Sequence, residues 1–277
     1  MSKPASSTTS RLMSHPIHFA HANGFPAGSY RRFFDALEAQ NLARPLAIPQ
    51  VGHNPQYPVT NNWPLLVDEL CDYIEAHSTE PVVGMGHSLG ACLTLLASHK
   101  RPELFRSLVL LDPPLAMGIG GLTYGLAKML GQVERISPAG KSKHRRQHWP
   151  NLEDAIDSMA SKRLFNGVNR ETVRDYIESA TCDDGTGGRQ LSYLVEVECA
   201  IFNTLPHNIG WLPKNPHPGT LLRGSNSDTT RKSWAQSLAR KQGFSYGETS
   251  GSHLFPMQYP ERTAERIAEE LATLNAQ

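Results

Sequence analysis

Cysteine is scarce in this sequence, and no two cysteines stand close together. Four occur among 277 residues, and none belongs to a C-x-x-C pair. Such spacing is not typical of a disulfide framework or of a zinc site. We therefore interpret the thiols as reduced, which favours a cytoplasmic location. The four are Cys71, Cys92, Cys182 and Cys199.

Long apolar runs and an excess of charge of one sign are also missing. No stretch approaches the ~20 apolar residues that span a bilayer. The formal net charge of +1 gives no reason to expect nucleic acid as a partner. No His/Cys/Glu cluster has metal-ligand spacing and no G-x-G-x-x-G follows a strand, so neither a metal nor another cofactor is predicted. A small molecule is the expected partner, and a homodimer is left open.

One stretch carries a chemical motif. Residues 82–90 read VVGMGHSLG, in which an apolar run enters Gly-His-Ser-Leu-Gly and a helix-like run, 91–99, follows. This is a G-x-S-x-G turn between a strand and a helix. Because the turn is too tight for side chains at its flanks, Ser88 should project from its apex at a helix N-terminus. Ser88 is thus predicted to be a nucleophile; the alternative is that it only caps the helix.

Apolar runs alternate with helical patterns along most of the chain. This alternation predicts an α/β fold with a mostly parallel sheet of about six strands flanked by helices. A closing amphipathic helix is predicted over 261–274. The predicted strands are 17–20, 45–48, 81–85, 108–111, 220–222 and 244–248.

The alternation stops between Pro113 and Pro218, where helical patterns continue without a convincing buried strand. We predict a helical cap over 114–215, inserted into a core formed by 15–113 and 216–277, with a disordered tail over 1–14. Such an insertion would cover the carboxyl edge of the sheet, where ligands of α/β folds bind, and would exclude water. The alternative is an independent helical domain.

A serine hydroxyl needs a base, and the base needs an orienting carboxylate. In a sheet of this kind the three should follow in the order Ser, Asp/Glu, His. His253 lies in the loop Gly251–Pro256, after the last predicted strand and before the last helix, and is the predicted base. Two carboxylates follow strands that end at the same edge. Asp228, in a Gly/Ser/Asn-rich loop, is favoured, and Asp112 is the alternative.

Two backbone amides are predicted to stabilise the oxyanion. One belongs to Leu89, directly after the nucleophile, and the other to Phe25 in the loop after the first strand. Asn23 and Gly24 of that loop are predicted to contact substrate, with Asn23 or His21 bracing the loop. His87 is a further candidate for substrate contact, although its position beside the nucleophile favours a structural role.

The basic run 141–149, KSKHRRQHW, lies within the predicted cap. A solvated helix face is one interpretation. The other is attraction of an anionic acyl carrier or phosphate group.

Taken together, these motifs make the chain similar to capped serine hydrolases of the α/β-hydrolase fold superfamily, over nearly all of residues 16–275. The resemblance implies Ser88 as nucleophile, His253 as base, Asp228 as acid, and Phe25 with Leu89 at the oxyanion hole. Related dehalogenases and epoxide hydrolases use Asp as nucleophile, so Ser88 argues against those activities.

The expected function is therefore an esterase-like serine hydrolase, which cleaves a carboxylic ester or related acyl bond of a small hydrophobic substrate through an acyl-enzyme. A carbon–carbon bond hydrolase, a thioesterase and a lactonase share this chemistry and stay open. So does a non-catalytic ligand-binding protein that retains the fold, since a fold does not determine a function.

Overall fold

The computed structural model describes residues 15–135 and 137–276. Its centre is a parallel sheet that has five strands within the described residues, in the order β1-β2-β3-β7-β8. This confirms the predicted α/β class with a mostly parallel sheet. The predicted tail over 1–14 lies outside the described residues. The five strands are β1 (Ile17–Ala20), β2 (Val82–His87), β3 (Phe105–Leu111), β7 (Gly219–Gly224) and β8 (Ser245–Thr249).

Helices cover both faces of the sheet, because strands buried on both sides need apolar partners on both sides. Within β3, Val109 and Leu111 pack into one apolar cluster, and Leu108 and Leu110 pack into the other. The helices of the first face are α1 (Arg31–Ala39) and α11 (Pro260–Asn275), and those of the second are α2 (Pro64–His77), α3 (Leu89–Lys100) and α9 (Lys232–Gln242).

The predicted strand at 45–48 is reduced to a single bridge. Leu46 accepts from the amide of Phe19 and donates to the carbonyl of Ile17, each at 2.8 Å, but no ladder extends from this pair. Pro45 and Pro49 flank the bridge. Because proline lacks an amide hydrogen, it interrupts a ladder at each such position, which explains why the sheet stops short of six strands.

The segment between β3 and β7, predicted as a helical cap, contains strands as well as helices. A three-stranded antiparallel sheet, which the sequence analysis missed, joins β4 (His148–Trp149), β6 (Arg189–Leu191) and β5 (Thr181–Asp183). The helices of this segment are α4 (Ile119–Met129), α5 (Ala139–Ser142), α6 (Leu152–Ala160), α7 (Arg170–Ala180) and α8 (Val195–Asn203), and a short helix α10 (Phe255–Gln258) precedes α11.

Asparagine side chains begin two of these helices. The side chain of Asn151 accepts from the amide of Asp154 at the start of α6, and that of Asn169 accepts from the amide of Thr172 at the start of α7. Each bond satisfies an amide that lacks an intrahelical partner and typically stabilises a helix by about 1 kcal/mol. These caps determine the residues at which α6 and α7 begin.

Candidate active site

Ser88 lies in a strained turn between β2 and α3. Its φ of +55° is rare for a residue with a side chain. A Cβ at Gly86 would lie 2.3 Å from the carbonyl oxygen of Gly90, and one at Gly90 would lie 1.9 Å from that of Ala20. Both contacts are with backbone, which cannot move aside. The two glycines of the motif are therefore required by the packing of the turn against β1.

His253 is held by a buried carboxylate. Its Nδ1 lies 2.6 Å from Oδ2 of Asp112, at the end of β3. Because a carboxylate only accepts, Nδ1 carries the hydrogen and Nε2 is left as the free basic nitrogen. The side chain of Asp112 is 0% exposed, and that of His253 is 12% exposed. Of the two carboxylates considered in the sequence, the structure brings Asp112 to the histidine.

The favoured acid, Asp228, lines the same cavity but does not contact His253. Its side chain is 76% exposed and pairs with Arg163 at 3.3 Å. The loop does turn towards the histidine, but through the preceding residue: the hydroxyl of Ser227 donates to Oδ2 of Asp112 at 2.5 Å. Ser227 is buried, and its amide closes a turn to Gly224. The next side chain then points outward, which explains why the assignment of Asp228 fails.

Arg223, which the sequence analysis missed, supports this loop from below. Arg223 lies in β7, and its side chain is buried. The guanidinium donates to the carbonyls of Thr230 (2.7 Å) and Ser227 (2.5 Å). It also pairs with Glu248 on β8 at 3.2 Å. A buried guanidinium requires several acceptors, and here they are supplied by the chain that carries Ser227. The buried arginine thus fixes the loop against Asp112.

Ser88 and His253 line one cavity of about 1990 Å³. Its walls come from the sheet edge, from the segment predicted as a cap, and from α9. The Ser88 hydroxyl makes no hydrogen bond to a residue that the structure describes, His253 included. The two side chains therefore share the lining of one cavity without a hydrogen bond between them. Its apolar lining includes Phe25, Leu115 and Phe165.

The two predicted oxyanion donors differ in availability. The amide of Leu89 begins α3, lines the cavity and has no hydrogen-bond partner among the described residues. The amide of Phe25 already donates to the carbonyl of Ala22 at 3.0 Å. That bond closes the turn after β1, so Phe25 contributes its ring to the cavity while its amide is used in the loop.

The loop after β1 is braced at two points. His21 accepts from the amide of Val51 (2.9 Å) through Nε2 and contacts the carbonyl of Ala22 (2.9 Å) through Nδ1. Burial lowers the pKa of His21 to about 4. Asn23 lines the cavity, and its amide donates to the carbonyl of Glu198 on α8 at 3.0 Å. Gly24, expected to contact substrate, is instead absent from the cavity wall.

His87 also lies away from the cavity, contrary to the expectation of substrate contact. It is 0% exposed. Its Nε2 bonds to the carbonyl of His253 at 2.8 Å, and its Nδ1 to the hydroxyl of Tyr30 at 2.7 Å. Burial, and secondarily the neighbouring His253, hold the pKa of His87 well below its usual value. The ring is therefore neutral and connects the histidine loop to Tyr30.

The segment between β3 and β7 contains a further buried ion pair. Arg145 contacts Glu198 at 2.8 Å and donates to the hydroxyl of Tyr176 at 3.1 Å. The hydroxyl of Ser142 donates to the same carboxylate at 3.1 Å. This part of the basic run thus packs inside the molecule, whereas the solvated-face interpretation placed the whole run in water.

Residues 15–135 and 137–276 contain no group of three His, Cys, Asp or Glu side chains arranged to hold a metal ion. Over the same ranges, no helix combines the length and the hydropathy needed to cross a bilayer.

The chain belongs to the alpha/beta hydrolase family, whose model matches residues 19–266. Abhydrolase domain-containing protein AFT2-1 of Alternaria alternata is 39% identical over 113 residues, which is 38% of this chain and 38% of that protein. The match therefore spans well under half of that relative. A second protein of the same organism, ACTT2-1, is 24% identical over 228 residues, covering 69% of this chain and 82% of the relative.

Solved structures agree on the fold. E-2-(acetamidomethylene)succinate hydrolase superposes with a TM-score of 0.70 at 17% identity, covering 93% of this chain and 92% of that one. The thioesterase domain from the curacin biosynthetic pathway superposes with a TM-score of 0.69 at 19% identity, covering 92% of each chain. At such identity the likeness establishes the fold alone. Together with the family model, which matches residues 19–266, this fold confirms the resemblance to the α/β-hydrolase superfamily.

Proposed function

We propose that the protein is a serine hydrolase that cleaves an ester or related acyl bond. The observation that carries the proposal is the bond between Nδ1 of His253 and the buried Asp112, beside a cavity that Ser88 also lines. The carboxylate selects the tautomer with a free Nε2 and stabilises the imidazolium that forms when a proton arrives. A serine on a glycine-flanked turn and a histidine so oriented are the parts that acyl transfer needs.

The reaction proceeds in two halves. Ser88 Oγ attacks the carbonyl carbon while Nε2 of His253 takes the hydroxyl proton and then gives it to the leaving group. Water next attacks the acyl-enzyme, again through Nε2, and releases the acid and free Ser88. The amide of Leu89 stabilises the negative oxygen of each tetrahedral intermediate, aided by the N-terminal end of α3.

Labelling by a fluorophosphonate tests the nucleophile. The intact protein should be labelled covalently, and Ser88→Ala should lose the label entirely. Ser237→Ala is the matched control, because Ser237 lines the same cavity but lies within α9 and not on a glycine-flanked turn at a helix N-terminus. Mass spectrometry of tryptic peptides locates the adduct. A label that survives Ser88→Ala would assign the reactive nucleophile to another residue, and no label on a folded protein would favour the non-catalytic ligand-binding alternative.

Substrate panels separate the activities that share this mechanism. Aryl esters, acyl thioesters, lactones and a vinylogous diketone, the last as a probe of carbon–carbon cleavage, are compared by kcat/KM. We expect the esters and thioesters to be hydrolysed. The two structural neighbours are named for a hydrolase of a succinate derivative and for a thioesterase, which supports including an acidic substrate and a thioester in the panel.

A further inference from the structure

The charges around the cavity are strongly one-sided. Its lining includes six Lys or Arg side chains and two carboxylates, Glu198 and Asp228, which gives a formal charge of +4. The whole chain carries only +1, so the rest of the molecule is net negative. The six cations are Lys141, Arg145, Arg146, Lys162, Arg231 and Arg240.

Neither carboxylate is available to the remaining cations. Glu198 is paired with Arg145 at 2.8 Å, and Asp228 is paired with Arg163, which does not line the cavity, at 3.3 Å. The other five lining cations form no ion pair within the described residues. Many surface cations of this chain are paired, as Arg44 is with both Asp35 and Glu38. Five cations without an ion-pair partner therefore share the lining of this one cavity.

The unpaired cations lie at its mouth, whereas the deeper wall is apolar. All five are exposed, and they come from two parts of the chain: Lys141, Arg146 and Lys162 from the segment between β3 and β7, and Arg231 and Arg240 from the start and the body of the α9 region. The inner lining includes buried Phe25, Leu89, Leu115, Phe165 and Ile201. A ligand that matches this wall has an apolar part inside and an anionic part at the entrance.

We propose that the substrate is an acyl compound that carries an anionic group, a phosphate or a carboxylate, at the end that faces the mouth. This rests on the proposed serine hydrolase function and names the substrate class of the same site. Hydrolysis adds water across the acyl bond, so a thioester gives a carboxylic acid and a thiol, and an ester gives an acid and an alcohol. The cations hold the anionic group and take no part in bond cleavage.

Two matched pairs of probes test the charge and distinguish its source. Butyryl-coenzyme A is compared with butyryl-N-acetylcysteamine, which has the same thioester without phosphates. The 4-nitrophenyl monoester of glutaric acid is compared with 4-nitrophenyl butyrate, which lacks the second carboxylate. A preference within the first pair identifies phosphate on the leaving group, and a preference within the second identifies carboxylate on the acyl chain. Equal kcat/KM within both pairs would overturn the proposal.

The variants remove the cations while leaving the catalytic residues in place. The triple variant Lys162→Gln/Arg231→Gln/Arg240→Gln should lower kcat/KM for the preferred anionic probe about tenfold, or about two- to threefold per cation, relative to its effect on the neutral probe. A control removes the same charge from exposed positions outside the cavity: Lys214→Gln/Lys241→Gln/Arg262→Gln. Since salt screens exposed charges, the preference should shrink in ~1 M NaCl. Equal losses in both triple variants would contradict the proposal.

A binding measurement keeps this inference distinct from the proposed function. Titration calorimetry of Ser88→Ala with coenzyme A and with glutarate needs no turnover. Binding that weakens in the cavity triple variant but not in the control supports the anionic subsite even if no probe is hydrolysed. Hydrolysis of neutral probes without any anion binding would instead support the proposed hydrolase function and contradict the proposed anionic substrate.

Discussion

Which carboxylate contacts His253 depends on the direction in which single side chains point. Asp112 follows β3 with a φ of +45°, a conformation that costs energy in a residue with a Cβ and persists only where its surroundings impose it. Here the amide of Asp112 donates to the carbonyl of Leu222 at 2.8 Å, while Oδ2 accepts from His253 and Ser227. The strained backbone and the two bonds together aim the carboxylate at the imidazole.

Replacing each carboxylate by its amide should separate their roles. Asp112→Asn should lower kcat about 10³- to 10⁴-fold, because an amide can donate to Nδ1 and so favour the wrong tautomer. Asp228→Asn should change kcat by less than about twofold, since its exposed pair with Arg163 is worth at most about 1 kcal/mol. Steady-state kinetics on the best ester provide the measurement, with thermal melts to verify folding. A large loss in Asp228→Asn would restore the sequence-based assignment.

Sequence patterns singled out Ser88 and His253, which line one cavity in the structure, but favoured the wrong one of two carboxylates as the partner of His253. Backbone sterics identify Ser88, because its neighbours Gly86 and Gly90 leave no room for a Cβ. His253 follows from the order of strands. The choice between two carboxylates depends instead on which residue of a turn faces inward. The loop predicted to reach His253 does approach it, but the side chain that points inward belongs to Ser227, one position before Asp228. A Gly/Ser/Asn-rich turn has no periodicity from which the inward position could be predicted.

Among the elements, α11 and most strands of the parallel sheet were predictable, because amphipathic periodicity or an apolar run is sustained along each of them. The sheet formed by β4, β5 and β6 was not, since its strands are two or three residues long and carry mostly polar side chains. Such strands have no apolar alternation to detect. The strand predicted over 45–48 was wrong for the opposite reason. Its apolar run is typical of a strand, but prolines on either side of Leu46 stop the ladder at a single bridge.

Three separate elements meet at Tyr30 and His87. The amide of Ala22, after β1, donates to the hydroxyl of Tyr30 at 3.3 Å, and that hydroxyl bonds to Nδ1 of His87 at 2.7 Å. Since Nε2 of His87 must donate to the carbonyl of His253, Nδ1 accepts and Tyr30 donates. Burial raises the pKa of Tyr30, so the hydroxyl stays protonated. These hydrogen bonds connect the loop after β1 with the loop that carries His253.

Removing the hydroxyl of Tyr30 tests whether this residue positions His253. Tyr30→Phe leaves the amide of Ala22 and Nδ1 of His87 unpaired, which should lower the free energy of unfolding by about 1–3 kcal/mol. If the bonds also position His253, kcat should fall about tenfold while KM changes little, because misplacement of a catalytic group reduces turnover.

Tyr57→Phe is the control for this prediction, since Tyr57 is outside the cavity and bonds to the exposed Asp72 at 2.6 Å. Urea denaturation and steady-state kinetics are measured on both variants. A Tyr30→Phe protein that is destabilised but retains its kcat would mean that the hydroxyl serves stability alone.

For the whole molecule, buried neutral histidines set the response to acid. Burial lowers the pKa of His18 to about 3 and that of His21 to about 4. Neither ring nitrogen of His18 has a hydrogen-bond partner among the described residues. In the unfolded chain a histidine has a pKa of about 6.5. The unfolded state therefore binds more protons below that value, and stability present above pH ~6.5 is lost as the pH falls towards the folded pKa values.

The contribution of His18 can be isolated by comparing two pH values. Between pH 8 and pH 5 this residue alone should lower the free energy of unfolding by about 2 kcal/mol, because each pH unit below the unfolded pKa costs about 1.4 kcal/mol. His18→Phe keeps an aromatic ring against Tyr73 and should lose about 2 kcal/mol less than the parent over that interval. Any packing cost is the same at both pH values and cancels. Guanidinium denaturation at pH 5 and pH 8 measures the four free energies, and an equal decrease in both proteins would mean that His18 becomes protonated without unfolding.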